Sequence, residues 1–109
     1  MPKPQPWSPA DATDEIRALA RQSSLKITYS QHAKERLEER DLAIGDVLYV
    51  LKNGFVYETA SESTQPGLFK YAPESRSPNS GSRTVRVIVI PDPARVWVKI
   101  VTVMWADER

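Results

Sequence analysis

The sequence contains no cysteine among its 109 residues. This excludes disulfide bonds, thiol nucleophiles and cysteine-ligated zinc or iron–sulfur centres. With one histidine and no acidic motif that has metal-loop spacing, we expect no metal ion and no cofactor. No serine stands in a nucleophile-elbow sequence, and no glycine-rich phosphate loop precedes a helix. Thiol, metal-dependent and nucleotide-binding chemistry are therefore disfavoured.

Neither sign of charge is in large excess, because the formal net charge is +1 and the pI is about 8.0. Any anion site must therefore come from local clustering. No apolar run approaches the length of a membrane span, and the first ten residues lack the apolar core of a signal peptide. We expect a cytoplasmic protein with no membrane segment. Its proline-rich residues 1–8 should form an extended arm, anchored by Trp7, and residues 9–109 a single domain.

The most informative stretch runs from Ser30 to Gly54 and predicts two consecutive helices. Ser30 is a good N-cap, and Gly54 suits the left-handed position that follows a helix. In the first helix, His32, Arg36 and Arg40 lie four apart and form a basic ridge beside the apolar positions. Two arginines at this spacing repel each other slightly, which an anion would relieve.

Less specific interpretations of the same ridge stay open. His32 would cap the helix or pack, Arg36 would pair with Glu39 one turn on, and Arg40 would complement the negative helix C-terminus. In the functional interpretation, the positive end of the helix keeps the His32 imidazole neutral and able to accept a proton.

Metal-independent RNA cleavage needs a base, cations on the phosphate and an acid for the leaving oxygen. His32 suits the base, and Arg36 or Arg83 could bind phosphate through the arginine fork. Without a proton donor the reaction would rely on electrostatic stabilisation. The candidate donors are Tyr71, Lys70 and Lys99.

Secondary-structure signals place the helices first and most of the strands afterwards. A helix begins at Ser8-Pro9 and ends near Gln22, and residues 25–29 are extended. Four strands follow the two central helices, and a long loop rich in serine and proline precedes the third. We predict an α+β fold with N-terminal helices on one face of a four-stranded, largely antiparallel sheet. The four strands are residues 55–60, 68–72, 84–90 and 96–105.

A tight turn over residues 91–94 between the last two strands would place Arg86 opposite Lys99, on the sheet face that also carries Trp97. Like charges directly opposite each other are unfavourable, so this basic and aromatic face suggests an acidic ligand such as RNA. The alternative is that an acid such as Glu58 neutralises the pair.

The run His-Ala-x-x-Arg-x-x-x-Arg is followed by a short joint, an Asp-Val-x-x-x-Leu helix and Asn-Gly. Later in the chain come two strand segments, Arg-Thr-Val-Arg-Val-Ile-Val and Val-Lys-Ile-Val-Thr-Val. Together, these motifs resemble a small bacterial family of domains of unknown function. That family is often placed with the RelE- and BrnT-type toxins of toxin–antitoxin systems. The Lys-His-Gly signature associated with BrnT is absent. The positions that match the family pattern are His32, Arg36, Arg40, Gly54, Arg83 and Thr102.

The resemblance implies a compact ribonuclease-like domain whose partners are RNA and a cognate antitoxin. We expect a toxin-like domain that cleaves or binds RNA without a metal ion. The alternative is a non-catalytic module that binds an acidic protein through the same basic ridge. The expected catalytic residues are His32, Arg36, Arg83 and Tyr71. The expected residues for binding RNA or a partner are Arg40, Lys70, Arg86, Trp97 and Lys99.

Overall fold

Three helices come first along the chain, and all but one of the strands follow them. The computed structural model describes residues 3–108, so residues 1–2 of the predicted arm and residue 109 of the predicted domain lie outside the described residues. No helix in this part of the chain is long and apolar enough to cross a bilayer. The elements are α1 (Pro9–Ala20), β1 (Lys26–Tyr29), α2 (Gln31–Glu39), α3 (Ile44–Asn53), β2 (Phe55–Val56), β3 (Ser61–Glu62), β4 (Phe69–Lys70), β5 (Pro73–Ser75), β6 (Val85–Asp92), a 3₁₀ helix (Pro93–Arg95) and β7 (Trp97–Trp105).

The strands form a mixed five-stranded sheet in the order β1-β7-β6-β5-β2, and β3 and β4 form a separate two-stranded sheet. Strand β1 is parallel to β7, and the other neighbours in the larger sheet are antiparallel. The predicted α+β class is confirmed, but the prediction of four strands is wrong. Strand β5 was missed because it has only three residues and begins with a proline, which favours turns and edge positions.

Local capping signals correctly placed the starts of α1 and α2. Ser8 Oγ accepts a hydrogen bond of 3.2 Å from the Asp11 N–H, and Pro9 occupies the first position of α1. Ser30 Oγ accepts one of 3.0 Å from the Ala33 N–H. Both caps satisfy N–H groups that have no partner inside their helix.

Gly54 is needed for a different reason from the one predicted. Its φ of −76° and ψ of 170° are extended, not left-handed. A Cβ atom at this position would lie 2.5 Å from the Val50 carbonyl oxygen and 3.0 Å from that of Glu74. The glycine therefore permits a close backbone approach between the end of α3 and β5. The left-handed conformation occurs instead at Asp41, where φ is 52°, in the joint between α2 and α3.

The core lies on the sheet face that the helices cover. Inward-facing residues of β6 and β7 belong to the same buried cluster as apolar residues from all three helices. This shared burial is the largest stabilising contribution and fixes α2 against the sheet. The residues of the cluster with no more than 1% exposure are Ala12, Ile16, Leu19, Ala33, Val47, Val50, Leu51, Val85, Val87, Val89, Val98, Ile100 and Val103.

The hairpin of β6 and β7 is longer than predicted, so its register differs. Pairing continues to Asp92 opposite Trp97, with the 3₁₀ helix as the connection. A bulge leaves Val101 without a partner in β6. As a result Arg86 pairs with Met104 and Lys99 with Ile90, so the predicted pairing of Arg86 with Lys99 is wrong.

The described part of the arm packs onto the domain through Trp7, as predicted. Trp7 is 4% exposed, and its ring stacks on Tyr71 with centroids 5.1 Å apart. The Gln5 side chain donates a hydrogen bond of 3.0 Å to the Pro91 carbonyl oxygen. Together these contacts cover one end of the core.

Candidate functional site

Helix α2 is attached to the sheet by its cap. The Ser30 N–H donates to the Ile100 carbonyl oxygen at 3.0 Å, and Ser30 Oγ donates to that of Val101 at 2.6 Å, where β7 bulges. Ala33 and Leu37 are buried in the core. These contacts fix the buried face of α2 to the sheet and leave the remaining residues of the helix outside the core.

His32 lies in the first turn of α2, beside the buried face of the helix. Its side chain is exposed and makes no hydrogen bond or ion pair within residues 3–108. The alternative in which His32 packs into the core is therefore wrong. An imidazole with no protein partner is free to exchange a proton with a bound molecule.

Arg36 and Arg40 are both held by carboxylates. Arg36 Nη1 lies 2.5 Å from Glu39 Oε2, so the predicted alternative partner of Arg36 is present. Arg40 Nη1 lies 3.4 Å from the same oxygen. The Arg40 side chain is only 14% exposed, and it donates from Nε and Nη2 to the two carboxylate oxygens of Glu108 at 2.9 and 2.5 Å.

Arg83 reaches the same region from the start of β6. Its Nη2 lies 2.9 Å from Asp107 Oδ1, and its guanidinium carbon lies 4.2 Å from the ring centroid of Trp105. Arginine over an indole ring is a favourable cation–π contact. Arg36, Arg40 and Arg83, called the arginine cluster below, are thus linked through Glu39 and the turn after β7.

The turn after β7 carries an ionised carboxylate into the arginine cluster. Hydrogen bonds from Arg40 and from the Trp105 N–H, together with the charge of Arg83, hold the pKa of Glu108 below its usual value. Burial acts in the opposite direction but does not outweigh these interactions. Glu108 is therefore an anion at neutral pH, and the cluster already binds one.

Two of the predicted binding residues, Trp97 and Lys99, lie on the other face of the sheet. They alternate with the buried Val98 and Ile100, so they point away from the core. Trp97 Nε1 donates a hydrogen bond of 2.9 Å to Thr28 Oγ1. The structure does not bring this pair together with the arginine cluster. Thr102, which also matched the family pattern, is half-buried opposite Ile88.

Arg86 and Lys70 line a third location, a cleft of about 100 Å³. Arg86 Nη1 lies 2.5 Å from Glu58 Oε1 and 3.1 Å from Glu74 Oε2, and its side chain is 13% exposed. In the predicted alternative, an acid such as Glu58 neutralises a pair of Arg86 and Lys99; those two residues do not pair, but Glu58 does bind Arg86. Glu74 was missed because it lies in the short strand β5. With two carboxylates beside Arg86, this cleft is a poor site for a phosphate.

Tyr71 does not lie at an accessible surface, which corrects its predicted role as a proton donor in catalysis. It is 2% exposed, and its hydroxyl accepts a hydrogen bond of 3.0 Å from the Trp7 N–H and donates one of 3.2 Å to Gln5 Oε1. Burial raises the pKa of Tyr71, and the bond from Trp7 only partly offsets this. The side chain holds the arm against the core.

Tyr71→Phe is expected to lower the free energy of unfolding by about 1 to 2 kcal/mol, because the buried Trp7 N–H loses its acceptor. RNA binding and cleavage should not change. Urea unfolding followed by tryptophan fluorescence measures the first effect, and an RNA assay on the same protein measures the second. If the Tyr71→Phe protein is folded but inactive, Tyr71 takes part in the reaction after all.

Sequence reasoning missed the acidic and aromatic side of the cluster. Trp105, Asp107 and Glu108 follow one another closely at the end of β7. The available signal was a pair of acids directly after the last strand, but only tertiary structure shows that they meet Arg83 and Arg40. No group of three or more acidic or histidine side chains within residues 3–108 is arranged to hold a metal ion.

A family model described as "Domain of unknown function (DUF4258)" matches residues 29–105. The match includes the ridge on α2, α3 and the strands from β2 to β7, whereas the arm, α1 and the acids at 107 and 108 lie outside it. No curated protein and no solved structure matches the chain.

Proposed function

Because the chain belongs to the DUF4258 family of domains of unknown function and its central helices resemble the RelE- and BrnT-type toxins, we propose that it is a toxin-like domain that binds single-stranded RNA and cleaves it without a metal ion. The observation that carries this proposal is the exposed His32 on α2 together with the arginine cluster, of which Arg36 lies on the same helix. His32 and Arg36 are separated by one helical turn, or about 6 Å along the axis.

The arginine cluster suits the RNA backbone. Guanidinium groups bind phosphate through two parallel hydrogen bonds, and Arg40 already makes this arrangement with a carboxylate. Arg83 is stacked on Trp105 and is about half exposed, so its outer face is available to a base. Single strands expose the base faces that such a platform needs.

Cleavage would follow from His32 acting as a base. The imidazole takes the proton of a ribose 2′-hydroxyl, the 2′-oxygen bonds to the adjacent phosphorus, and the bond from phosphorus to the 5′-oxygen breaks. The leaving oxygen takes a proton from water, and the imidazolium gives its proton to the hydroxide that remains. The products are a 2′,3′-cyclic phosphate and a 5′-hydroxyl, and His32 is again neutral. Since Tyr71 is buried and neither Lys70 nor Lys99 joins the cluster, the arginines would supply electrostatic stabilisation in place of a side-chain acid.

Arg36→Ala is expected to weaken binding of a short polyuridylate about tenfold and to lower the salt dependence of the affinity by about 0.7 in logarithmic slope. Arg36 is about one-third exposed and, among residues 3–108, pairs only with Glu39, so the fold should tolerate its loss. Fluorescence anisotropy with a labelled oligonucleotide across a series of salt concentrations measures both effects.

The matched control is Arg95→Ala, which removes the same charge from the far end of the β6–β7 hairpin, where Arg95 is 81% exposed. Equal weakening by both variants would mean that general charge, not the cluster, binds RNA. For the toxin role, induction of the chain should arrest growth, and co-expression of the product of a neighbouring gene should relieve the arrest. Harmless expression would contradict this role.

The second candidate is a non-catalytic module that binds an acidic protein, such as an antitoxin. The observation that favours it is that every arginine of the cluster already binds a carboxylate within the chain. An acidic partner segment could replace those carboxylates with its own. Binding of an acidic partner protein by a chain with no affinity for RNA would select this function.

A further inference from the structure

The turn after β7 places two acidic side chains on the arginine cluster. Glu108 binds Arg40, and Asp107 binds Arg83. A backbone hydrogen bond of 3.0 Å from the Glu108 N–H to the Trp105 carbonyl oxygen closes the turn. The Trp105 N–H in turn donates to Glu108 Oε1 at 3.0 Å. The turn therefore places both acids beside the cluster.

Glu108 occupies the donors that a phosphate would use. Arginine binds carboxylate and phosphate through the same pair of N–H donors. In Arg40 these donors, Nε and Nη2, are already bonded to the two carboxylate oxygens of Glu108. The remaining terminal nitrogen, Nη1, faces Glu39. An RNA phosphate cannot reach the fork of Arg40 while Glu108 is in place.

We propose that Asp107 and Glu108 form an internal competitor for the phosphodiester backbone of RNA, so that RNA binds the cluster by displacing them. This inference rests on the proposed RNA-binding function and adds its regulation. Anything that draws the acidic turn away, such as a basic partner segment, would open the site.

The exchange is physically feasible because one anion replaces another. The Asp107 and Glu108 side chains are 73% and 36% exposed, so both carboxylates can move into water without disturbing the packing of the core. Arg40, at 14% exposure, keeps a charged partner throughout. The net free energy of binding RNA is therefore less favourable than it would be for three arginines without bound carboxylates.

Salt dependence distinguishes this competition from a simple charge effect. A phosphate that binds a free arginine releases a counterion, whereas a phosphate that displaces Glu108 leaves a carboxylate that attracts a cation. Removing the charge of Glu108 should therefore strengthen binding and also make the affinity more sensitive to salt.

The test compares Glu108→Gln with Glu62→Gln, which makes the same charge change in the exposed strand β3. Affinity for a labelled polyuridylate is measured by anisotropy over a range of potassium chloride concentrations. Glu108→Gln should bind about fivefold more tightly than Glu62→Gln, with a logarithmic salt slope steeper by about 0.7. Circular dichroism confirms that each variant is folded.

Equal affinities and slopes for the two variants would overturn the competition while leaving RNA binding by the wild-type chain intact. Absence of RNA binding in all variants would instead overturn the proposed function and this inference with it. If Glu108→Gln fails to fold, Asp107→Asn provides the same test at the more exposed pair with Arg83. A gain of about twofold in affinity over Glu62→Gln supports the competition, and no gain overturns it.

Discussion

Replacing His32 with glutamine is expected to slow RNA cleavage by a factor of about 10² to 10⁴, the usual contribution of a general base. The protein should stay folded, because the exposed imidazole makes no hydrogen bond or ion pair within residues 3–108. Glutamine keeps hydrogen-bonding capacity but cannot titrate. Any rise in the wild-type rate across neutral pH should therefore vanish in the variant, since histidine is the side chain that ordinarily titrates there.

Arg36→Lys is the companion variant, and Lys34→Gln is the control. Lysine keeps the positive charge of Arg36 but loses the planar fork, so we expect weaker cleavage with the pH profile retained. Lys34 is an exposed residue of the same helix and should change the rate little. The measurement is a ribonuclease assay with circular dichroism in parallel. Unchanged cleavage in His32→Gln would remove His32 from the reaction, and parallel loss of folding and activity would make it structural.

Asp46→Asn is expected to lower the free energy of unfolding by about 3 kcal/mol. Asp46 is 1% exposed, yet its carboxylate accepts hydrogen bonds from the Ala43 N–H at 2.8 Å and from the Asn79 N–H and side-chain amide at 2.9 and 3.0 Å. An asparagine would turn an amide group toward these donors and lose the charge-assisted bonds. The variant would therefore loosen both the start of α3 and the loop before β6.

The effect of Asp46→Asn should depend on pH. Burial favours the neutral carboxyl, but the hydrogen bonds from Ala43 and Asn79 outweigh it and leave the pKa of Asp46 below its ordinary value. A lowered folded-state pKa gives a contribution that is complete above the unfolded pKa of about 4 and is lost as the pH falls further. The difference between the wild type and Asp46→Asn should therefore narrow in acid.

Urea unfolding at several pH values measures this difference, and Asp14→Asn on the exposed side of α1 is the control, with an expected change below about 0.5 kcal/mol. This role of the Asp46 carboxylate would be contradicted if Asp46→Asn lowered the free energy of unfolding by less than about 1 kcal/mol. It would also be contradicted if the difference between the wild type and the variant did not change with pH. RNA binding is not expected to change in protein that remains folded.

Local chemistry made some elements predictable and left others out of reach. Ser8 and Ser30 cap their helices within three residues, so sequence alone located α1 and α2. The start of α3 carries no such local signal, because Ala43 has no capping side chain. Its N–H is satisfied by Asp46, and Asp46 is held in turn by Asn79, which lies 33 positions later. No local pattern contains that information.

The same distinction applies to the candidate site. Helical periodicity predicted a ridge with His32 and Arg36 beside the apolar positions of α2, and the burial of Ala33 and Leu37 agrees with that pattern. This part was predictable because it depends only on spacing within one helix. Tyr71 was misplaced because its burial depends on Trp7, 64 positions earlier. The partnership of Arg40 with Glu108 spans 68 positions and was missed for the same reason.

The parallel pairing of β1 with β7 has a consequence for how the chain becomes folded during synthesis. Ser30 and Val101, which join α2 to the sheet, are 71 positions apart. Closing so long a loop costs chain entropy before the contacts that offset this cost have formed, which slows folding. On a ribosome, residues 26–29 emerge before β7 and have no strand of the sheet beside them until β7 has emerged as well. The helix that carries His32 would therefore reach its final support only after β7 has left the ribosome, so chains that stop before β7 should lack an assembled site.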